Sequence, residues 1–250
     1  MARYQIILAY DGTGFVGSQR QAKSRTVQGE CEQALRNIGW QGKSILLAGR
    51  TDTGTHASGQ VAAFDLEWGH GEKKLQDALN AHLPGDMSVQ AARKVADGFH
   101  PRYDAVSRCY RYRLFCEEIR QPLRERYAWR VWPPVGDLGP LAAIWPGRHD
   151  FASFGSPMHA GGTTTREVFH AEWQKSADEW IFEVRADAFL YRMVRRLVYV
   201  QVAVGQGRLS MDVLVRGLDQ GTPVPVGLAP ACGLTLVDVS YDDPVEERLV

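Results

Sequence analysis

Long apolar runs are missing from this 250-residue sequence, and so is any excess of charge: 29 lysines and arginines balance 29 aspartates and glutamates. The first absence excludes a spanning helix, which needs about 20 consecutive apolar residues. The opening MARYQIILAYDG lacks the charged, apolar and small-residue sections of a secretory signal, so a cytoplasmic location is expected. Cysteine is scarce. Cys31, Cys109, Cys116 and Cys232 form neither C-x-x-C nor C-x-x-H, and the seven histidines form no H-E-x-x-H. Neither a disulfide framework nor a metal site is expected, and the cysteines read as small buried hydrophobes.

What is present is an ordinary globular composition, 44% hydrophobic and 23% charged, on a chain long enough for one large domain or two. The neutral total conceals two basic stretches. Residues 99–130 hold eight arginines against four acids, and residues 185–196 hold Arg185, Arg192, Arg195 and Arg196 against Asp187 alone. A tail with Asp238, Asp242, Asp243, Glu246 and Glu247 offsets them. Local basic patches attract phosphate even on a neutral chain, although a solvated charged face has the same pattern.

Periodicity organises the chain. Arg3 to Tyr10 reads as a buried strand closed by a turn at Asp11–Gly14. Val27, Cys31, Ala34, Leu35 and Ile38 recur at helical spacing behind Thr26, a suitable N-cap. Strands follow at 44–48 and 60–64, then a helix carrying Leu75 and Leu79 and stopped by Pro84, then a strand at 87–94. That order, β-α-β-β-α-β, predicts a split βαβ unit. The second half offers a strand at 105–116, a short helix through Leu138 and Trp145, a hairpin of 166–174 with 179–186, an apolar helix over 189–204, another from Ser210, and a closing strand at 233–241. The expected fold is α+β: two tandem split-βαβ (ferredoxin-like) halves, 1–98 and 99–250, with mainly antiparallel sheets and a cleft between them.

Three places carry candidate chemistry. In Gly49-Arg50-Thr51-Asp52-Thr53-Gly54-Thr55-His56, one carboxylate lies two residues from a guanidinium among small hydroxyl residues and glycines, the composition of a shaped pocket lip. In the strand 109–115, period two puts Tyr110, Tyr112 and Leu114 on one face and Arg111 and Arg113 on the other; a tyrosine ring can stack on a nucleobase. In the helix from Phe189, Arg192 and Arg195 share a side and could turn toward a carboxylate such as Asp52. Phe99-His100-Pro101-Arg102-Tyr103 adds the aromatic and basic blend that suits unpaired RNA.

With these pieces named, the chain resembles the tRNA pseudouridine synthase A family. The shared strings run in order: YDGTGFVGSQ (10–19), TVQGECEQAL (26–35), GRTDTGTHASGQVAAF (49–64), FHPRYDAVSRCYRY (99–112), HDFASF (149–154), FLYRMVRRLV (189–198) and ACGLTLVDVSY (231–241). The resemblance implies a homodimer that acts on tRNA, converting uridines 38, 39 and 40 of the anticodon arm to pseudouridine. It implies that Asp52 is the catalytic aspartate and Arg50 the arginine that takes the place of the flipped base. Tyr110 would contact the target uracil, and Arg195 would pair with the aspartate. Phe99, His100, Arg102 and Tyr103, with Asp150, Phe151 and Phe154, would contact RNA. The isomerisation oxidises nothing and adds no group, so no cofactor is expected. Two departures stand out: Ser18 replaces a tryptophan common among relatives, and Leu197-Val198-Tyr199 lacks the glycine that often follows M-V-R.

Overall fold

The structure, a computed structural model, describes residues 1–157, 159 and 161–242. Asp243, Glu246 and Glu247 of the expected acidic tail lie outside these residues, as do Met158 and Ala160. The chain is α+β. In order it forms β1 (Ala2–Tyr10), α1 (Val27–Asn37), β2 (Leu46–Leu47), β3 (His56–Leu66), α2 (Glu72–His82), β4 (Met87–Lys94) and β5 (Ala105–Cys116). Then come β6 (Trp129–Val131), β7 (Gly147–Asp150), β8 (Thr165–Ser176), β9 (Glu179–Ala186), α3 (Met193–Gly205), α4 (Met211–Asp219) and β10 (Leu234–Tyr241). Pairing is mostly antiparallel, and β5 pairs with β6 in parallel. Among the described residues no helix is long and apolar enough to cross a membrane.

Contacts divide the chain into two compact units, 1–107 with 236–250, and 108–235. These differ from the expected halves. The physical reason in the first unit is that β10 lies beside β3, giving the strand order β4-β1-β3-β10. Gly59 permits that approach, since a Cβ there would stand 2.3 Å from the Val237 carbonyl oxygen. Tyr4, Ile6, Leu8 and Tyr10, two apart in β1, are all buried, as period two requires. Thr26 caps α1 by accepting from the Gly29 N–H at 3.2 Å, and α1 buries Val27, Cys31, Ala34 and Leu35. The strand expected at 44–48 shrinks to Leu46–Leu47, whereas that at 60–64 lengthens to His56–Leu66.

The second unit has the order β5-β9-β8-β7, with β6 against β5. Its core gathers Tyr112, Leu114, Trp145, Phe151, Phe154, Phe182, Met193 and Leu197. The hairpin turns at Ala177, whose φ is 52°. The helix expected from 189 begins only at Met193. Residues before it are drawn away by a bridge between Ser156 and Tyr191, and Arg192 adopts a left-handed φ of 62° that no helix accommodates. Arg192 is therefore the cap rather than a helical neighbour of Arg195. The helix expected through Leu138 and Trp145 is a single 3₁₀ turn, Gly139–Ala142, and β6 and β7 were not legible in the pattern.

Candidate active-site residues

In the first unit, Arg50 and Asp52 sit on the loop joining β2 to β3, Arg50 exposed and Asp52 half-buried. The loop is clasped along its backbone. Thr51 and Ser18 exchange two hydrogen bonds: the Ser18 N–H donates to the Thr51 carbonyl at 3.1 Å, and the Thr51 N–H donates to Ser18 Oγ at 2.9 Å. Ser18 is fully buried, and its own carbonyl accepts from the Gln28 N–H of α1 at 2.9 Å, which ties the clasp to a helix. The Tyr10 hydroxyl and Thr51 Oγ1 share a hydrogen bond of 2.9 Å; burial pushes the Tyr10 phenol above its ordinary range, so it stays neutral. On the other side Gln60 brackets Gly49, its amide donating to the Gly49 carbonyl at 2.9 Å and its oxygen accepting from the Gly49 N–H at 3.3 Å.

The far end of the loop is held as closely. Asp52 offers its carbonyl to the Thr55 N–H at 3.1 Å across a turn in which Gly54 takes a φ of 78°. The Gly12 N–H donates to His56 Nδ1 at 3.0 Å, and a Cβ on Gly12 would fall 2.0 Å from the Thr55 carbonyl oxygen. Gly12-Thr13-Gly14-Phe15-Val16-Gly17 has the G-x-G-x-x-G spacing of a dinucleotide fingerprint. That fingerprint requires a helix to open at the third glycine within a parallel βαβ unit. Here β1 pairs antiparallel with β3 and β4, α1 starts only at Val27, and the first glycine makes room for the Asp52 loop. Ser18, Gln60 and His56 support the loop, roles that the sequence did not show: Ser18 lies in the turn-rich run after β1, and His56 and Gln60 lie in the first half of β3.

The segment 99–103 also belongs to the first unit. His100 Nδ1 accepts from the N–H groups of Arg102 (3.1 Å) and Tyr103 (3.3 Å), and the Asp104 carboxylate accepts from the His100 N–H at 2.8 Å. Phe99 packs on Tyr241 with ring centres 5.1 Å apart, and the Tyr241 hydroxyl donates to the Pro101 carbonyl at 2.7 Å. The turn so built leaves Tyr103 77% exposed beside the exposed Arg102.

In the second unit, β5 has the expected faces. Tyr112 and Leu114 are buried; Arg111 and Arg113 pair with Glu183 and Glu179 of β9. Tyr110 is half-buried, with the Phe189 ring edge-on at 5.1 Å. Arg195, half-buried on α3, donates from Nε to the Ala229 carbonyl at 2.8 Å, and the Ala229 N–H returns a bond to the Arg195 carbonyl. Burial pushes the Tyr112 phenol and Cys232 thiol up, and the Arg195 charge pulls both partly back. The 149–154 segment departs from expectation. Phe151 and Phe154 are fully buried, Phe154 edge-on to Trp145 at 5.1 Å, so neither ring has a face to offer a base; of the three residues expected to contact RNA here, Asp150 is exposed. Among the described residues no three His, Cys, Asp or Glu side chains gather as metal ligands.

A family model described as tRNA pseudouridine synthase matches residues 6–104 and 141–242. The chain is 38% identical over 246 residues to a protein of Syntrophotalea carbinolica named tRNA pseudouridine synthase A, covering 96% of this chain and 97% of that one. It is 36% identical over 256 residues to a protein of the same name from Limosilactobacillus fermentum, covering 99% of both. A third of that name, from Paraburkholderia phymatum, is 36% identical over 248 residues, covering 97% of this chain and 92% of the other.

Proposed function

The chain belongs to the tRNA pseudouridine synthase family, and on that premise we propose that it isomerises uridine to pseudouridine in the anticodon stem-loop of tRNA, at positions 38, 39 and 40. The supporting observation is the clasped loop: Asp52 is the one carboxylate of residues 49–56, half-buried, on a backbone fixed by Ser18, Gln60 and Gly12. The reaction breaks the bond from ribose C1′ to N1, turns the base, and joins C1′ to C5. The C5 hydrogen leaves as a proton and N1 gains one, so atoms and electrons balance without a second reactant. A carboxylate serves by attack on C1′, by attack on C6 or by removing a proton, and each course needs it ionised and accurately placed.

The remaining assignments follow from the same reading. Arg50, exposed next to Thr51, fills the space vacated by the flipped base, offsetting part of an unstacking cost of a few kcal/mol. Tyr110 lies against the uracil ring, and Arg195 is the cation of the reaction site. Arg102, Tyr103, Phe99 and His100 contact RNA, with Asp150 on the rim of the second segment. The protein acts as a homodimer in the cytoplasm, and its two units descend from tandem split-βαβ halves. The element order β1-α1-β2-β3-α2-β4 in the first unit supports the last point.

Release of tritium from tRNA labelled at uridine C5, followed by digestion to nucleosides, tests the function. Pseudouridine recovered in step with tritium supports it. Free uracil would make the protein a hydrolase instead, and tRNA binding with neither product would make it a non-catalytic RNA binder.

A further inference from the structure

The second unit contains an open recess of about 330 Å³ that none of the assignments above uses. Its walls are three. One is the start of α3 with Tyr191, Arg192 and Arg196; another is the backbone at 152–156; the third is Val226-Gly227-Leu228. Two guanidinium groups line it and no carboxylate does. Arg192 caps α3 and Arg196 lies in its first turn, the Arg196 N–H bonded to the Arg192 carbonyl at 3.0 Å, and both side chains line the recess.

Each wall is held independently of any ligand. The 152–156 wall is anchored by the buried Phe154 ring and by the bridge from Ser156 to Tyr191. Gly155 is needed there, since a Cβ would stand 2.7 Å from the Leu190 Cβ. The opposite wall is pinned to α3 through the paired bonds of Arg195 and Ala229. Gly227 is needed too: a Cβ on it would fall 1.9 Å from the Tyr199 ring. Arg192 keeps a left-handed backbone, φ 62°, at the rim.

We propose that this recess takes a phosphodiester of the tRNA backbone away from the target uridine, with Arg196 and Arg192 as its two cations. Planar guanidinium forks match phosphate oxygens in pairs, and the volume lies at the low end of ligand sites, enough for one backbone unit. The inference rests on the tRNA reading given above. The test is tRNA affinity of the full chain across added salt, for wild type, Arg196→Gln, and Arg192→Asn, a residue tolerant of left-handed backbone. Each substitution is expected to remove about one from the slope of log affinity against log salt and to weaken binding severalfold. Lys74→Gln, an exposed lysine on α2, serves as the charge-matched control.

Slopes for Arg196→Gln and Arg192→Asn equal to the control would overturn the proposal. So would inorganic phosphate binding there, at matched ionic strength, without competing with tRNA. Because the readout is affinity, its failure is separable from that of the functional reading. A wild type that binds tRNA with the expected slopes yet forms no pseudouridine sinks the reading and leaves the recess.

Discussion

The loop 49–56 and the segment 149–154 are both short stretches that sequence resemblance assigns to tRNA, and they are held by opposite forces. The first is fixed by hydrogen bonds to its backbone and to His56 from Ser18, Gln60 and Gly12, with glycines where another stretch of the chain passes close. It contributes little apolar area and leaves Arg50 outside. The second is fixed by two fully buried phenylalanines packed about Trp145. One stretch presents Arg50 and Asp52 from a hydrogen-bonded polar frame. The other spends its side chains on the core and presents backbone and Asp150. A motif shared with RNA enzymes therefore does not say which of its residues face RNA.

The contrast is sharpest where the effect is largest. Phe154→Ala should cost about 3–5 kcal/mol in denaturant unfolding, as emptying a core ring does; a loss below about 1 kcal/mol would mean that the ring is not part of the core. Gly12→Ala should act on turnover instead. The added carbon cannot coexist with the Thr55 carbonyl, so the loop must move, and a displacement near 1 Å costs about 100-fold in rate. Full turnover in this variant would show that the clasp does not set the position of Asp52. Ser18→Ala strands the buried Thr51 N–H and should cost about 1–3 kcal/mol of stability, with turnover falling further than tRNA affinity. The smallest effect is expected at Tyr110. Phenylalanine keeps the ring and should stay within about tenfold of wild type, under 1.4 kcal/mol, whereas alanine should lose more. Equal activity of the two would remove the ring from the reaction.

Much of this comparison was legible beforehand and part was not, for physical reasons. The Asp52 loop could be read because glycine, hydroxyl and charge concentrate in eight residues between two apolar strands. The faces of β5 could be read because Tyr112 and Leu114 alternate with arginines. Helix α1 announced its cap at Thr26. The buried state of Phe151 and Phe154 could not be read, because an aromatic pair three apart suits a core and a base equally. The late start of α3 was hidden because Arg192 breaks the helix through its φ, which composition does not reveal. Ser18 looked like a simple loss of a tryptophan. Only its bond to Thr51 gives it a role. The return of β10 to β3 escaped a reading that grouped neighbours along the chain.

The central claim is that one carboxylate, on a clasped loop, performs the isomerisation. The most direct measurement is tritium release by Asp52→Ala with saturating C5-labelled tRNA, alongside its tRNA affinity and melting temperature. The account predicts a fall in release of more than about 1,000-fold, roughly 4 kcal/mol, with affinity and melting near wild type. Release within about tenfold of wild type by the folded variant would contradict it.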